Sequence, residues 1–462
     1  MDKATVRDMY LSAGRLTVRV SDPTTDRTAT SPQPSKCSQR DGAMTETLTL
    51  KHLQDVIQGS AAAFRCRRRL QPVGGEGDKV FPPTFAGAVY AMEQRHVPGR
   101  AELADCVLLD SVQSQANRME LALQEALDKG KIKIPVLVVD FTEYGPTGDV
   151  EDDEKKGRLL DAVGKVSSLQ VPHRLADAIL RDSQIEGINF RKSDKGRALN
   201  TVSLVNATPL FALCPTALVF GMWDSTGPKG GLGPKFERTM VSEVVGIGAA
   251  VGGLLRGVRR DPLEIRAAVK VLKAADKSYS VADPNTKEVK GVVSPSKVNH
   301  SSVPFPTNWK EKTEKNFYSG VTIEYAEQTT TLSLICLRRL RFPIDGKISV
   351  EADLAARTVL AALGLCAATL AFESGMGLRS RCLLWPDEPM EWELLARPGE
   401  EPQKFSLPSN EAVALLNAAI EAAHKTALPW ESAPITLKPS KQLLKLVRLS
   451  QLEAVNEEPD AG

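Results

Sequence analysis

The chain has 462 residues, with 59 lysines and arginines against 57 aspartates and glutamates and a net charge of +2 at pH 7. That length leaves room for large hydrophobic cores and, on the usual domain size, for more than one domain. The near-balanced charge excludes a polybasic scaffold, so any affinity for nucleic acid must come from local clusters of cations.

Residues 1–43 are polar, lack apolar periodicity and read as a disordered extension, with Met44 the expected functional start. A short helix is expected over Leu50 to Gln58. The segment Phe64-Arg65-Cys66-Arg67-Arg68-Arg69-Leu70 then reads as a strand. Side chains alternate along a strand, so Arg65, Arg67 and Arg69 share one face, with Phe64, Cys66 and Leu70 on the other. Three like charges on one face repel unless a polyanion or carboxylates intervene. A glycine-proline loop containing Lys79 follows. In it Phe81, just before Pro82-Pro83, suits a packing anchor better than a base-stacking ring.

The periodicity of Val112, Ala116, Met119, Leu123 and Leu127 predicts a helix from Asp110 to about Leu127, capped by Asp110 or Ser111. Its outward face is polar from the start, with Ser111, Gln113, Ser114, Asn117 and Arg118. Hydroxyls and amides at a helix N-terminus suit phosphate and ribose 2′-OH groups, the latter distinguishing RNA from DNA. Ile134 to Phe141 reads as a strand, Glu143 to Arg158 as an acidic mobile loop and Pro172 to Gly187 as a helix. His173 and Arg174 lie at the start of that helix. Ala217 to Met222 reads as a buried strand entering the glycine-rich loop 224–235. That loop lacks the G-x-x-x-x-G-K-[ST] order, which argues against a nucleotide site. Its Lys229 and Lys235, with Arg238 beyond, suit an element that closes over a nucleic-acid strand or packs on a neighbouring copy. Asp224, followed by Ser225 and Thr226, suggests an Asx turn.

A strand is expected near Phe236 to Gly246, and an exposed insertion over about 276–319. Thr329 to Phe342 reads as a long strand with Arg339 and Arg341 on one face. Val350 to Phe372 is apolar nearly all round and therefore a buried helix. After Gly375-Met376-Gly377, Leu378 to Leu384 reads as a last strand bearing Arg379 and Arg381. An alanine-rich helix (Glu411 to Thr426) and a basic tail helix (Lys438 to Leu452) close the chain. The seven cysteines show no C-x-x-C pair, so neither a zinc site nor a disulfide framework is expected, and Cys66, Cys336 and Cys366 read as buried thiols of a reducing, cytoplasmic compartment. No run of about 18 uninterrupted apolar residues and no apolar signal core is present, so no membrane association is expected.

Several of these segments together resemble the Cas-seven-like backbone subunit of type I-U (I-G) CRISPR Cascade complexes, in the RAMP superfamily. They are Leu70-Gln71-Pro72-Val73-Gly74-Gly75 leading to Val80-Phe81-Pro82-Pro83-Thr84, Leu109 to Arg118, Pro172-His173-Arg174, Asn206-Ala207-Thr208-Pro209-Leu210-Phe211, and Trp223-Asp224-Ser225-Thr226-Gly227 with Gly230-Gly231-Leu232-Gly233. The resemblance implies an α+β fold: a modified ferredoxin-like (RRM/RAMP) palm over 44–398, with insertions near 143–158, 224–240 and 276–319, one of them a thumb. A C-terminal helical extension would occupy 399–462.

It further implies a non-catalytic scaffold, several copies of which coat CRISPR RNA and present it for pairing with target DNA beside other Cascade subunits. No cofactor or metal is implied. Gln71 joins the arginine strand, the helix start, His173-Arg174, the glycine-loop cations and Arg379 with Arg381 as the expected RNA contacts. The alternative is a RAMP-type endoribonuclease using His173, the histidine with the most suggestive neighbours, as its general acid or base.

Overall fold

The computed structural model describes residues 46–86, 89–228, 230–253, 265, 269–274, 278–282, 292–294, 318–373 and 375–456. The expected N-terminal extension, Lys229 and most of the 276–319 insertion lie outside the described residues. The fold is mixed α+β, with eleven α-helices among the described residues and a curled, almost wholly antiparallel half-barrel sheet.

The centre of that sheet is β1 (Ala63–Pro72), flanked on one side by β4 (Tyr325–Ser333), then β3 (Met240–Ile247), β2 (Ala104–Asp110) and the edge strand Met92–Arg95. On its other side β1 changes partner along its length. Its first residues pair with β7 (Glu391–Leu395) and its last with β6 (Cys382–Pro386), which forms a hairpin with β5 (Met376–Arg379). Beyond β7 come β8 (Gln403–Ser406) and the short parallel strand Glu46–Thr47.

One face of the sheet is covered by helices. α1 (Leu50–Gln58) starts from Thr49, whose hydroxyl accepts from the His52 amide. α2 (Val112–Asp128) starts from Ser111, whose hydroxyl accepts from the Ser114 amide. α3 (Val350–Phe372) is buried on nearly every side, including Leu360, Leu363, Cys366 and Phe372, and packs against α1, α2 and α4 (Ser409–His424). By length and composition α3 is apolar enough to cross a membrane, but here it is the core helix that the others surround. Burial pushes the Cys66 and Cys366 thiols up to about 12, which makes them inert hydrophobes at neutral pH. Cys336, expected to be buried, is half-exposed in the short helix that follows β4.

A second sheet runs in the order Ile188–Asn189, Ser183–Ile185, Ile435–Pro439, Leu137–Asp140, Lys165–Ser167. The C-terminal strand is its middle member, parallel to Leu137–Asp140 and antiparallel to Ser183–Ile185. This corrects the helix expected over Pro172 to Gly187. Asp177 caps a single turn, Ala178–Arg181, and the chain then forms a hairpin about Gly187 because its pairing partner arrives from 250 residues downstream.

Four other expectations change for local reasons. The run 217–222 is helical, Thr216–Phe220, since Pro215 supplies a helical φ at its start and a short apolar run is compatible with either structure. The expected acidic loop holds the helix Val150–Lys156, capped by Asp149 and closed by Gly157. β4 ends at Ser333, whose hydroxyl caps the helix Leu334–Arg338, so Arg339 and Arg341 are not strand residues. They pair instead with Glu237 and Asp353 at 2.7 and 2.6 Å. Finally, the expected strand over 378–384 is the β5–β6 hairpin, turning at Arg381 with φ +55°.

Candidate nucleic-acid interface

Odd-numbered residues of β1 face away from the helices, as the alternation predicts, and Arg65, Arg67 and Arg69 lie on that open face. The neighbouring strands supply carboxylates there. Arg65 donates to Glu393 and Arg67 to Glu327, both at 2.7 Å, and the Arg69 guanidinium lies 3.9 Å from the centre of the Tyr325 ring. The self-repulsion expected of the arginine row is therefore relieved within the protein. Gln71 is half-buried opposite Trp385.

The helix-covered face carries a charge that alternation would have placed among Phe64, Cys66 and Leu70. Arg68 is buried, donating to Gln328 Oε1 and to the Phe372 carbonyl at the end of α3. Gln328 in turn donates to Gln115 Oε1 and Ser242 Oγ, fastening α2 to β3 and β4. α2 thus sits behind the sheet, and the arginine row and the amide-rich helix start do not share one cradle.

A different set does converge. Asp110, 1% exposed at the end of β2, accepts from Ser114 Oγ at 2.8 Å, Gln115 Nε2 at 2.6 Å, Arg118 Nε at 2.9 Å and Arg379 Nη2 at 3.3 Å. Arg118 also reaches the carbonyls of Gly377 and Leu378, at 3.3 and 2.8 Å, while Arg379 reaches those of Leu109 and Phe81. The Phe81 amide donates to the Arg381 carbonyl, and the Arg381 guanidinium lies 4.7 Å from the Phe81 ring centre. The start of α2, the β5–β6 glycine hairpin and the glycine-proline loop meet at one junction. Phe81 is a packing anchor there, half-buried against Gly320. The exposed groups at this junction include Gln113, Asn117, Ser380 and Arg381, while the loop above carries exposed Glu76 and Asp78 with Lys79 half-buried between them and the core. Ser114, Arg118 and Arg379 are held from within and shape the junction.

Residues 64–251, which span β1, α2 and β3, match the family described as CRISPR-associated protein GSU0053. Over this span the chain is similar to that CRISPR-associated family. No curated protein matches the chain.

The family segment contains the remaining expected site residues. His173 is exposed, its backbone N–H donating to Asp177. Arg174 is 6% exposed at φ +52° and donates to both oxygens of Glu120, each at 2.7 Å, and to the Gly221 carbonyl. Enclosed in this way, Arg174 has its guanidinium engaged within the fold, by a carboxylate and a carbonyl. Burial pushes the Glu120 carboxyl up to about 7, against the pull of Arg174.

Lys235 and Arg238 are exposed on and after the hairpin formed by Met222–Trp223 and Lys235–Phe236. Asp224, expected in an Asx turn, is buried and ion-paired to Arg191. Sequence reasoning missed Asp110 as a hub, Arg68 and Glu120. The available signal was a charged or amide residue at an inward-facing position of a strand or helix.

Proposed function

We propose that this protein is a CRISPR-associated, non-catalytic backbone subunit of a type I Cascade effector, several copies of which load along one guide RNA. The order β6-β1-β4-β3, with α2 and α3 on one face, follows the fourth-first-third-second strand order of a ferredoxin-like palm, which supports the RAMP reading. The observation that carries the proposal is the junction around Asp110. There a helix start bearing exposed Gln113 and Asn117, a cation at Arg381 and two glycine-containing loops converge. Amide side chains and backbone N–H groups of this kind suit the sugars and phosphates of a single strand, leaving its bases free to pair with target DNA.

Mass measurement of the purified protein with a guide-length RNA tests the proposal: several protomers per RNA are expected, and one protomer or none overturns it. The route of the RNA is tested by salt. For single strands, log affinity falls with log salt by about 0.7 per phosphate contact. Arg381→Ala is expected to reduce the slope by about 0.7. Replacing Arg65, Arg67 and Arg69 together by alanine is expected to change it by less than that, because Arg65 and Arg67 already hold carboxylates. A triple variant that lost about two units of slope would move the RNA to the open sheet face.

A further inference from the structure

The hairpin of Met222–Trp223 and Lys235–Phe236 carries an aromatic ring that the fold does not use. Trp223 is 51% exposed, and Lys235, its cross-strand partner, holds its ammonium 5.5 Å from the ring centre. The acids nearby are already consumed. Asp224 is paired with Arg191, and Glu237 with Arg339. Lys235 and Arg238 have no carboxylate partner among the described residues, so the exposed ring has one uncompensated cation over it and a second at the root of the same hairpin, where Arg238 packs beside Gly221.

The hairpin is also closed by its backbone. The Asp224 amide donates to the Pro234 carbonyl across the hairpin, and a Cβ at Gly233 would lie 1.9 Å from the Asp224 carbonyl oxygen, so only glycine permits this closure. At the hairpin's root, Gly221 adopts φ +83° and its carbonyl accepts from Arg174, which is clamped to Glu120 on α2. Glu120 lies seven residues along α2 from Gln113, about 10 Å at the helical rise, so the hairpin root hangs from the same helix whose start enters the junction.

We infer that Trp223 is a stacking platform for an unpaired base of single-stranded RNA, with Lys235 and Arg238 holding the flanking phosphates. The inference rests on the RNA-binding reading above. Every base offers a π-face, so such a platform is tolerant of sequence, and the flanking cations match the backbone charge. An exposed apolar patch for a protein partner would not need uncompensated cations on the hairpin that carries its ring.

The test is the binding of a fluorescein-labelled oligouridine, long enough for one protomer, to the full chain. Trp223→Ala is expected to weaken binding at least about five-fold, the lower end of what one stacked base contributes, with the salt slope unchanged. Trp223→Phe should retain most of the affinity, while Lys235→Ala should lower the slope by about 0.7. On the abasic analogue of the same oligonucleotide, wild type and Trp223→Ala should bind alike. Equal binding of wild type and Trp223→Ala to oligouridine overturns the inference and leaves the backbone reading standing, and so does an equal loss on the abasic strand. Unchanged single-protomer affinity with fewer protomers on long RNA would reassign Trp223 to a contact between copies. If the wild type itself binds no RNA, the backbone reading falls as well.

Discussion

Arg174→Ala is expected to lower the free energy of unfolding by about 3–5 kcal/mol, because it strands a carboxylate in the core with no counter-charge. Glu120 is 1% exposed and Arg174 6%, so water replaces neither of the two lost bonds nor the one to the Gly221 carbonyl. Arginine and alanine bear a similar cost at φ +52°, so the difference between them reports the ion pair.

The pH dependence supplies a second sign. With Arg174 in place, burial already raises the Glu120 carboxyl from 4.5 to about 7, and removing the arginine raises it further. The folded state then holds a proton that the unfolded chain releases near 4.5, so stability falls as pH rises through that window. Urea unfolding of the variant should therefore show a larger deficit at pH 8 than at pH 5, and adding Glu120→Gln should remove the difference. A loss below about 1 kcal/mol with no pH dependence would mean that the pair contributes no more than a surface bridge.

Elements with strong local signals were legible in the sequence. α1, α2 and α3 follow their apolar periodicity and caps, and the alternation of β1 placed Arg65, Arg67 and Arg69 on one face. Where the expectation failed, the deciding partner was remote or the local signal ambiguous. Ser183–Ile185 is a strand because Ile435–Pro439 lies beside it, and Thr216–Phe220 is too short for its apolar run to distinguish helix from strand. The site was legible as a set of residue types but not as an arrangement. Glu393 and Glu327 neutralise two of the strand arginines from distant segments, and no local pattern reveals that Arg118 and Arg379 turn inward to a shared carboxylate. Asp110 stood next to the helix start and was read as a cap, whereas its four partners make it the fastening point of three segments.

That role makes Asp110 a positioning residue, and Asp110→Asn is expected to cost about 2–3 kcal/mol, less than the loss of Arg174. The side chains of Arg118 and Arg379 are 30% and 25% exposed, so water partly compensates them when their counter-ion is removed. An asparagine also turns a donor toward a ring of donors, which isosteric shape does not repair. The consequence for RNA is distinct from that for stability. Two guanidiniums released from Asp110 repel each other and loosen the β5–β6 hairpin that Arg118 holds through Gly377 and Leu378, yet they also present new charge to phosphate. Affinity at high salt should therefore fall while the dependence of log affinity on log salt becomes steeper. A merely destabilising change would lower the melting temperature and leave the slope untouched. If Asp110→Asn melts earlier but binds RNA with unaltered affinity and slope across the salt range, the strand does not pass the junction.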